Sequence, residues 1–246
     1  SAIGHFRTHP ALPRWLRVPE MTNVRDLGGW PAGDGMRVRQ GMLYRSSEMN
    51  RHLSLTSEGA QVLLGELGIR TDIDLRAESE SPSPALPEDQ VRWVHCPILP
   101  YDRVASPEVM QSLRLVFSLL ADPAVYPAII HCWAGADRAG TVAALLLAAL
   151  GVGHESIATD YELSSLSVWG QRSRDSRDFA ALLALLRSFA PPGPAGIAAA
   201  TEAFLRAAGV AAAELDAVRG LLLEPLPPPL AAQDPDRPRM SSPRAF

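Results

Sequence analysis

The stretch "HCWAGADRAGT", residues 131–141, decides how this chain is read. It follows the apolar run "AVYPAII" and precedes the apolar "VAALLLAAL". That order predicts a short buried strand, a glycine-containing turn and a helix with apolar residues on every face, which marks the helix as buried. One of the two cysteines in the chain, Cys132, stands where the strand ends, and Arg138 stands where the helix opens. Consecutive backbone N–H groups in such a turn converge with the helix N-terminus on one point, and that point binds an anion. The same field favours a thiolate, so Cys132 is expected to titrate below the ~8.5 of a free cysteine and to act as a nucleophile. Arg138 offers a planar fork that matches two oxygens of a phosphoryl group. Phosphoryl transfer requires mostly positioning and charge stabilisation, which this loop supplies without a metal or cofactor. Gly135 is expected to let the backbone approach the ligand with no side chain in the way.

Outward from the loop, the pattern is strand and helix in alternation, then helices alone. "VRDLGGW" and "GMLYRSS" predict a short strand, a glycine turn and a second strand near 42–44. Thr56 and Ser57 can cap a helix that runs to Leu67 and stops at Gly68. In "IRTDIDLR" Ile69, Thr71, Ile73 and Leu75 alternate with polar neighbours, the period of a half-buried strand. "VRWVHCPI" predicts another strand, and helical spacing covers 107–120, 155–166, 177–189, 197–208 and 213–223. The fold class expected is therefore α/β, with a central sheet flanked by helices and a helical C-terminal extension. An N-terminal lead over 1–18, a single domain over 19–223 and a Pro-rich, extended or disordered tail over 224–246 complete the expected organisation.

Composition narrows the function classes. The chain has 246 residues, 47% of them hydrophobic, enough for a sizeable core, and a formal net charge of −4. That balance argues against nucleic acid or an anionic membrane surface as the main partner. Every cation is arginine, because the chain contains no lysine. Two cysteines are too few for a disulfide framework. The apolar run 141–153 is shorter than the roughly 20 residues of a membrane span, and "SAIGHFRTHP" lacks the pattern of a signal peptide. A cytoplasmic or a secreted location fits equally. His52, His95 and His154 have no spacing that suggests a metal site.

The spacing Cys, five residues, Arg is the signature of cysteine-dependent phosphatases, and the longer string resembles one branch of them. This is the atypical bacterial tyrosine and lipid phosphatase family, related to the dual-specificity phosphatases, whose loop typically reads His-Cys-x-x-Gly-Lys-Asp-Arg-Thr-Gly. His131, Cys132, Gly135, Asp137, Arg138 and Gly140 match it. "NVRDLGGW" from Asn23, "LYRSS" at Leu43, "DLR" at Asp74 with Glu78 soon after, and "DYELSS" at Asp160 resemble further segments of that family in the expected order, so the resemblance covers roughly 23–223. It implies a protein tyrosine phosphatase-like fold with a mostly parallel sheet. It also implies hydrolysis of phosphomonoesters through a cysteinyl phosphate, with the backbone of Trp133, Ala134, Gly135, Ala136 and Asp137 and the Arg138 side chain holding the phosphate. Phosphotyrosine in protein or peptide is the leading substrate class; phosphoserine or phosphothreonine and then phosphoinositide follow.

Two aspartates compete for the general acid. The resemblance assigns the role to Asp137 in the loop, whereas Asp102 in "LPYDR" lies 30 residues before Cys132, where the wider superfamily carries a mobile acid loop. His131 is expected to support the loop from behind, and Arg25 either to frame the pocket or to belong to the scaffold, with Asp26 near it and Asp74 beside Arg76. Trp133 is either a pocket wall or packed beneath the loop. The arginines of "GQRSRDSRDF" are expected on a solvated face. Cys96 is expected as a strand hydrophobe; if its strand neighbours that of Cys132, the two could form a protective disulfide. Two departures stand out. Ala136 replaces a lysine, which removes a charge and disfavours a multiply phosphorylated inositol lipid. Ala139 replaces a threonine or serine thought to help release the thiolate, so hydrolysis of the phosphoenzyme is expected to be slow. A phosphate-binding module with little turnover is the alternative, and a sulfurtransferase a third, disfavoured by Arg138 and Asp137.

Overall fold

The computed structural model describes residues 15–80, 82–192 and 196–227. In chain order it contains β1 (Arg25–Asp26), β2 (Met36–Val38), β3 (Leu43–Ser46), α1 (Ser57–Gln61, continued by a π-helical turn over Val62–Glu66), β4 (Thr71–Asp74), β5 (Arg92–His95), α2 (Pro107–Leu120), β6 (Ala128–His131), α3 (Arg138–Ala149), α4 (His154–Leu163), α5 (Arg177–Ser188), α6 (Ile197–Ala207), α7 (Ala212–Leu222) and β7 (Leu223–Pro225). Thr56 caps α1 by accepting the Gly59 N–H, and Gly68, at φ 64°, ends the turn that follows.

Among the described residues five strands form one sheet in the order β1-β3-β6-β4-β5. The β3–β6, β6–β4 and β4–β5 pairs are parallel and β1 pairs antiparallel with β3, so the sheet is mostly parallel. Side chains alternate across it. Leu43, Ile73 and Ile130 enter a large core with α2, α3 and α5 to α7, whereas Tyr44 and Ile129 enter a smaller one with Leu63 and Val24. Both faces are covered, which corrects the half-buried reading of β4: all four of its residues are buried. Asp72 and Asp74 tolerate this because His131 and Arg76 answer them.

Helix α2 shows why it packs where it does. Val109, Leu113, Val116, Phe117 and Leu120 fall on one stripe and are all buried, and Pro107 sits in the first turn, where its missing N–H costs nothing. Helix α3 is buried at every position from Ala139 to Ala149, as its uniformly apolar sequence requires. The helical C-terminal extension packs into the main core: Phe204, Leu205, Leu215, Val218 and Leu222 belong to the same core as α3. The expected boundary at residue 224 runs through β7, whose Glu224 pairs with Arg37 of β2. The rest of the expected tail, 228–246, and most of the lead, 1–14, lie outside the described residues.

Strand order also settles the two thiols. β4 separates the strands that precede Cys96 and Cys132. Two strand spacings amount to about 10 Å, beyond the roughly 7 Å that a disulfide can bridge, so the conditional pairing of the two cysteines is excluded.

Candidate active site

The site lies at the carboxyl ends of the parallel strands, where open α/β sheets place their ligands. β6 ends at His131, the loop 132–137 turns, and α3 begins at Arg138, aiming the positive end of its dipole at the loop. Cys132 lines a pocket of about 220 Å³ together with Trp133, Ala134, Asp137, Arg138, Trp169 and Arg172. This pocket opens beside a larger cleft of about 690 Å³, which shares Asp137, Arg138 and Arg172 and adds Glu80, Tyr101, Arg103 and Gln171.

The loop is pinned from behind through its carbonyls. Trp133 O accepts from the Glu48 N–H at 2.8 Å and Ala134 O from Asn23 Nδ2 at 3.0 Å. Gly135 O accepts from Arg45 Nε and Nη2 at 3.1 and 2.6 Å, and Ala136 O from Arg45 Nη2 at 3.2 Å. In a trans peptide the N–H of residue i+1 points opposite the C=O of residue i. Four carbonyls turned into the scaffold therefore turn the N–H groups of Ala134, Gly135, Ala136 and Asp137 away from it. Gly135 has a different reason from the one expected. Its φ is 66°, and a Cβ there would stand 2.3 Å from Ser46 O; the close approach is to β3 rather than to a ligand.

A buried ionic knot carries Arg45. Asp160 of α4 receives Arg45 Nη1 at 2.6 Å and Arg25 Nε at 3.0 Å, and Arg25 also hydrogen-bonds Asn23 and Ser164. Burial and the neighbouring Arg25 push Arg45 down to about 10, which still leaves it a cation at neutral pH. Burial alone would raise the Asp160 carboxyl, yet Arg25 and Arg45 hold it below the usual carboxylate range. Arg25 is thus scaffold, one residue removed from the loop through Asn23. Asp26 has a separate task, accepting the N–H groups of Gly28 and Gly41, both at 2.8 Å. Arg76 is likewise scaffold, held by Asp74 at 2.7 Å.

His131 is fully enclosed and faces Asp72 at 3.0 Å and Asp74 at 3.8 Å as an ion pair whose angles are not those of a hydrogen bond. Burial pushes its pKa down, but the two carboxylates outweigh burial and raise it above the ordinary histidine value.

Arg138 is gripped by Glu80, which accepts from Nη2 at 2.9 Å and also from Nη1. Cys132 lines the same pocket beside it. Glu78, which follows the "DLR" string, lies instead against His95 at 3.3 Å. Asp137 is gripped in turn by Arg172, with Nε to Oδ1 at 2.8 Å and Nη2 to Oδ2 at 2.9 Å, and by the Tyr101 hydroxyl. Burial would raise the Asp137 carboxyl, but these partners hold it below its usual range.

The structure brings Asp137, and not Asp102, to the pocket. Asp102 is exposed, while its neighbours Tyr101 and Arg103 line the cleft. Trp133 is a pocket wall, 41% exposed, stacked on His52 at 4.5 Å and edge-on to Trp169 at 5.8 Å. Ala136 is buried and lines neither pocket; besides Arg138, the cations that line the cleft, Arg103 and Arg172, come from other segments. Arg172 departs from the solvated face expected of "GQRSRDSRDF", whereas Arg177 of the same string is exposed and Arg174 pairs with the exposed Glu155. Ala139 is buried in the core, and the Thr141 hydroxyl is committed to Asp137 O at 2.9 Å and to the Tyr101 N–H at 3.0 Å.

Residues 16–224 match the tyrosine phosphatase family. The chain belongs to that family. Among relatives, a Cupriavidus necator protein provisionally named a tyrosine-protein phosphatase is 34% identical over 173 residues, 59% of this chain and 61% of that protein. The triple specificity protein phosphatase PtpB of Mycobacterium tuberculosis is 44% identical over 66 residues, 27% of this chain and 23% of that one. The chain thus spans less than two thirds of the length of either. Among solved structures, the core catalytic domain of an S. cerevisiae PP-IP phosphatase superposes with a TM-score of 0.40 at 16% identity, over 52% of this chain and 74% of that one. P. aeruginosa TpbA in complex with phosphotyrosine gives 0.36 at 21% identity, over 69% and 98%. No helix among the described residues is long and apolar enough to cross a membrane.

The phosphatase family's loop was legible in sequence, but four of its supports were not: Glu80, Tyr101, Arg172 and Trp169 lie in segments without a recognisable local pattern. Arg45 and Asp160 lay inside quoted strings, "LYRSS" and "DYELSS", with no role attached to them.

Proposed function

We propose that this chain hydrolyses phosphomonoesters through a Cys132 phosphothioester, with phosphotyrosine in protein or peptide as its main substrate class. The observation that carries the reading is that Cys132 and Arg138 bracket one pinned loop at the foot of a pocket, with Arg138 fixed in plane by Glu80. The phosphoryl oxygens sit against the loop N–H groups and the guanidinium. Cys132 Sγ attacks phosphorus as the ester P–O bond breaks, and the leaving oxygen takes a proton from Asp137 or departs as the phenolate. Water then attacks phosphorus, Asp137 takes the proton, and the S–P bond breaks to give phosphate and thiolate.

Two features favour an aryl ester. A tyrosine phenol has a pKa near 10, so its oxide leaves with far less help from an acid than an alkoxide does. That suits an Asp137 held as a carboxylate. Trp133 and Trp169 beside Cys132 also offer apolar walls of the size of a phenyl ring.

Ala139 and the committed Thr141 hydroxyl leave the second step without the side-chain assistance that the family resemblance implies, which favours slow breakdown of the phosphoenzyme. A phosphopeptide with labelled phosphate, mixed with the protein and quenched in acid within milliseconds to seconds, tests the reading. Label is expected on Cys132, forming faster than it is lost, and absent in Cys132→Ser. Neither bound label nor released phosphate would overturn it.

A further inference from the structure

Asp137 is held from two sides at the pocket, and one of its clamps comes from a segment far along the chain. Arg172 reaches both carboxylate oxygens at 2.8 and 2.9 Å. Its own backbone is fixed on both sides by one hydroxyl: Ser165 Oγ accepts the Arg172 N–H at 2.8 Å and donates to the Arg172 carbonyl at 2.9 Å. From the other side the Tyr101 hydroxyl donates to Oδ1 and contacts the Tyr161 hydroxyl at 2.9 Å. Tyr101 holds this position at φ 61°, a left-handed conformation that strains a tyrosine and persists where surrounding contacts over-determine it. The groups facing Asp137 are therefore Arg172 beyond α4, Tyr101 before α2, Tyr161 of α4, Arg138 of α3 with its partner Glu80, and Cys132 of the loop; Arg103 and Asp178 line the same cleft.

We propose that Arg172 is a positioning residue that fixes the Asp137 carboxylate for its task as base and limits its use as acid, and so biases the site toward esters with good leaving groups. This rests on the phosphatase reading above. A bidentate guanidinium stabilises the carboxylate over the acid. The bias suits attack by water, where Asp137 must accept a proton, and opposes departure of an alkoxide, where it must give one. A carboxylate held on both oxygens is also oriented, which the proton transfer requires.

The test is Arg172→Met, with Arg172→Lys beside it. On phenyl phosphate, whose leaving phenolate matches that of tyrosine and is more basic than p-nitrophenolate, the alkaline limb of kcat/KM is expected to move up by about one pH unit in Arg172→Met, partly restored by Arg172→Lys, whereas p-nitrophenyl phosphate shows little movement. The substitution is expected to do nothing further in an Asp137→Asn background. An unmoved limb in a folded, active Arg172→Met protein would overturn the proposal. A second measurement does not depend on turnover: carboxyl carbon NMR titration of Asp137 in Cys132→Ser protein, with and without Arg172→Met. The Asp137 midpoint is expected to rise by about one unit, and an unchanged midpoint would overturn the proposal. An inactive parent with a shifted midpoint would sink the phosphatase reading and leave the clamp standing.

Discussion

Glu80 takes two hydrogen bonds from the end of the Arg138 guanidinium, one at 2.9 Å, and so sets the plane in which Arg138 faces the pocket beside Cys132. Side-chain exposures of 15% and 25% make this a partly shielded pair, one that orients more than it stabilises the fold.

Glu80→Ala therefore acts on catalysis. Freed from its partner, Arg138 samples other rotamers, and kcat/KM for p-nitrophenyl phosphate is expected to fall at least about tenfold, equivalent to ~1.4 kcal/mol of transition-state stabilisation. Thermal unfolding is expected to change little. An unchanged kcat/KM would show that Glu80 does not orient Arg138.

Gly135→Ala acts on the loop itself. The methyl would need to occupy space 2.3 Å from Ser46 O, at a φ of 66°. Clash against backbone together with left-handed strain costs about 2–4 kcal/mol, and the relief is displacement of the loop. Lower thermal stability and lost turnover are expected together, as read by calorimetry and phosphate release.

Asp160→Asn leaves Arg25 and Arg45 buried with reduced compensation. Removing one partner of such a cluster costs about 3–5 kcal/mol. The pH dependence has two sides. Because the folded-state pKa of Asp160 is depressed by Arg25 and Arg45 against the opposing effect of burial, its stabilisation is present above the unfolded value of ~3.9 and is lost as pH falls through the folded value. His131 has the opposite sign: its raised folded pKa gives stability that is complete below about 6.5 and is lost as pH rises through the folded value. Denaturant titrations across pH are expected to show a weaker acid loss in Asp160→Asn and a weaker alkaline loss in His131→Asn.

The two thiols are expected to differ in reactivity. Burial, with Asp74 nearby, pushes the Cys96 thiol up to about 12, and it lines no pocket described above, whereas Cys132 faces one. Iodoacetamide near neutral pH should modify Cys132, with inorganic phosphate slowing the reaction, and leave Cys96 intact in the folded protein. Peptide mapping that found Cys96 labelled first would contradict this assignment.

The loop 132–137 is readable because strand, turn and helix are local and their period changes inside one short string. Cys132 and Arg138 could be placed from residues 131–141 alone. Alternation predicts a half-buried β4 because it reports polarity, whereas Asp72 and Asp74 are polar residues buried against His131 and Arg76. β2 and β7 were missed since their pairing joins positions 36–38 to 223–225, a contact set by tertiary packing. Arg172 was assigned to solvent for the same reason: its partner Asp137 lies 35 residues away, and no periodicity links them. Asp102 was weighed by its distance from Cys132 along the chain, but the turn at Tyr101 carries the tyrosine inward and the aspartate outward.

The central claim is turnover through Cys132 and Arg138, and it is tested most directly by phosphate release from p-nitrophenyl phosphate in EDTA at mildly acidic to neutral pH, with Cys132→Ser and Arg138→Ala alongside the parent. Steady release by the parent, abolished in Cys132→Ser and lowered by several orders of magnitude in Arg138→Ala, is the predicted result. A folded, reduced parent that releases no phosphate, or a Cys132→Ser protein that releases it at the parent's rate, would contradict the account.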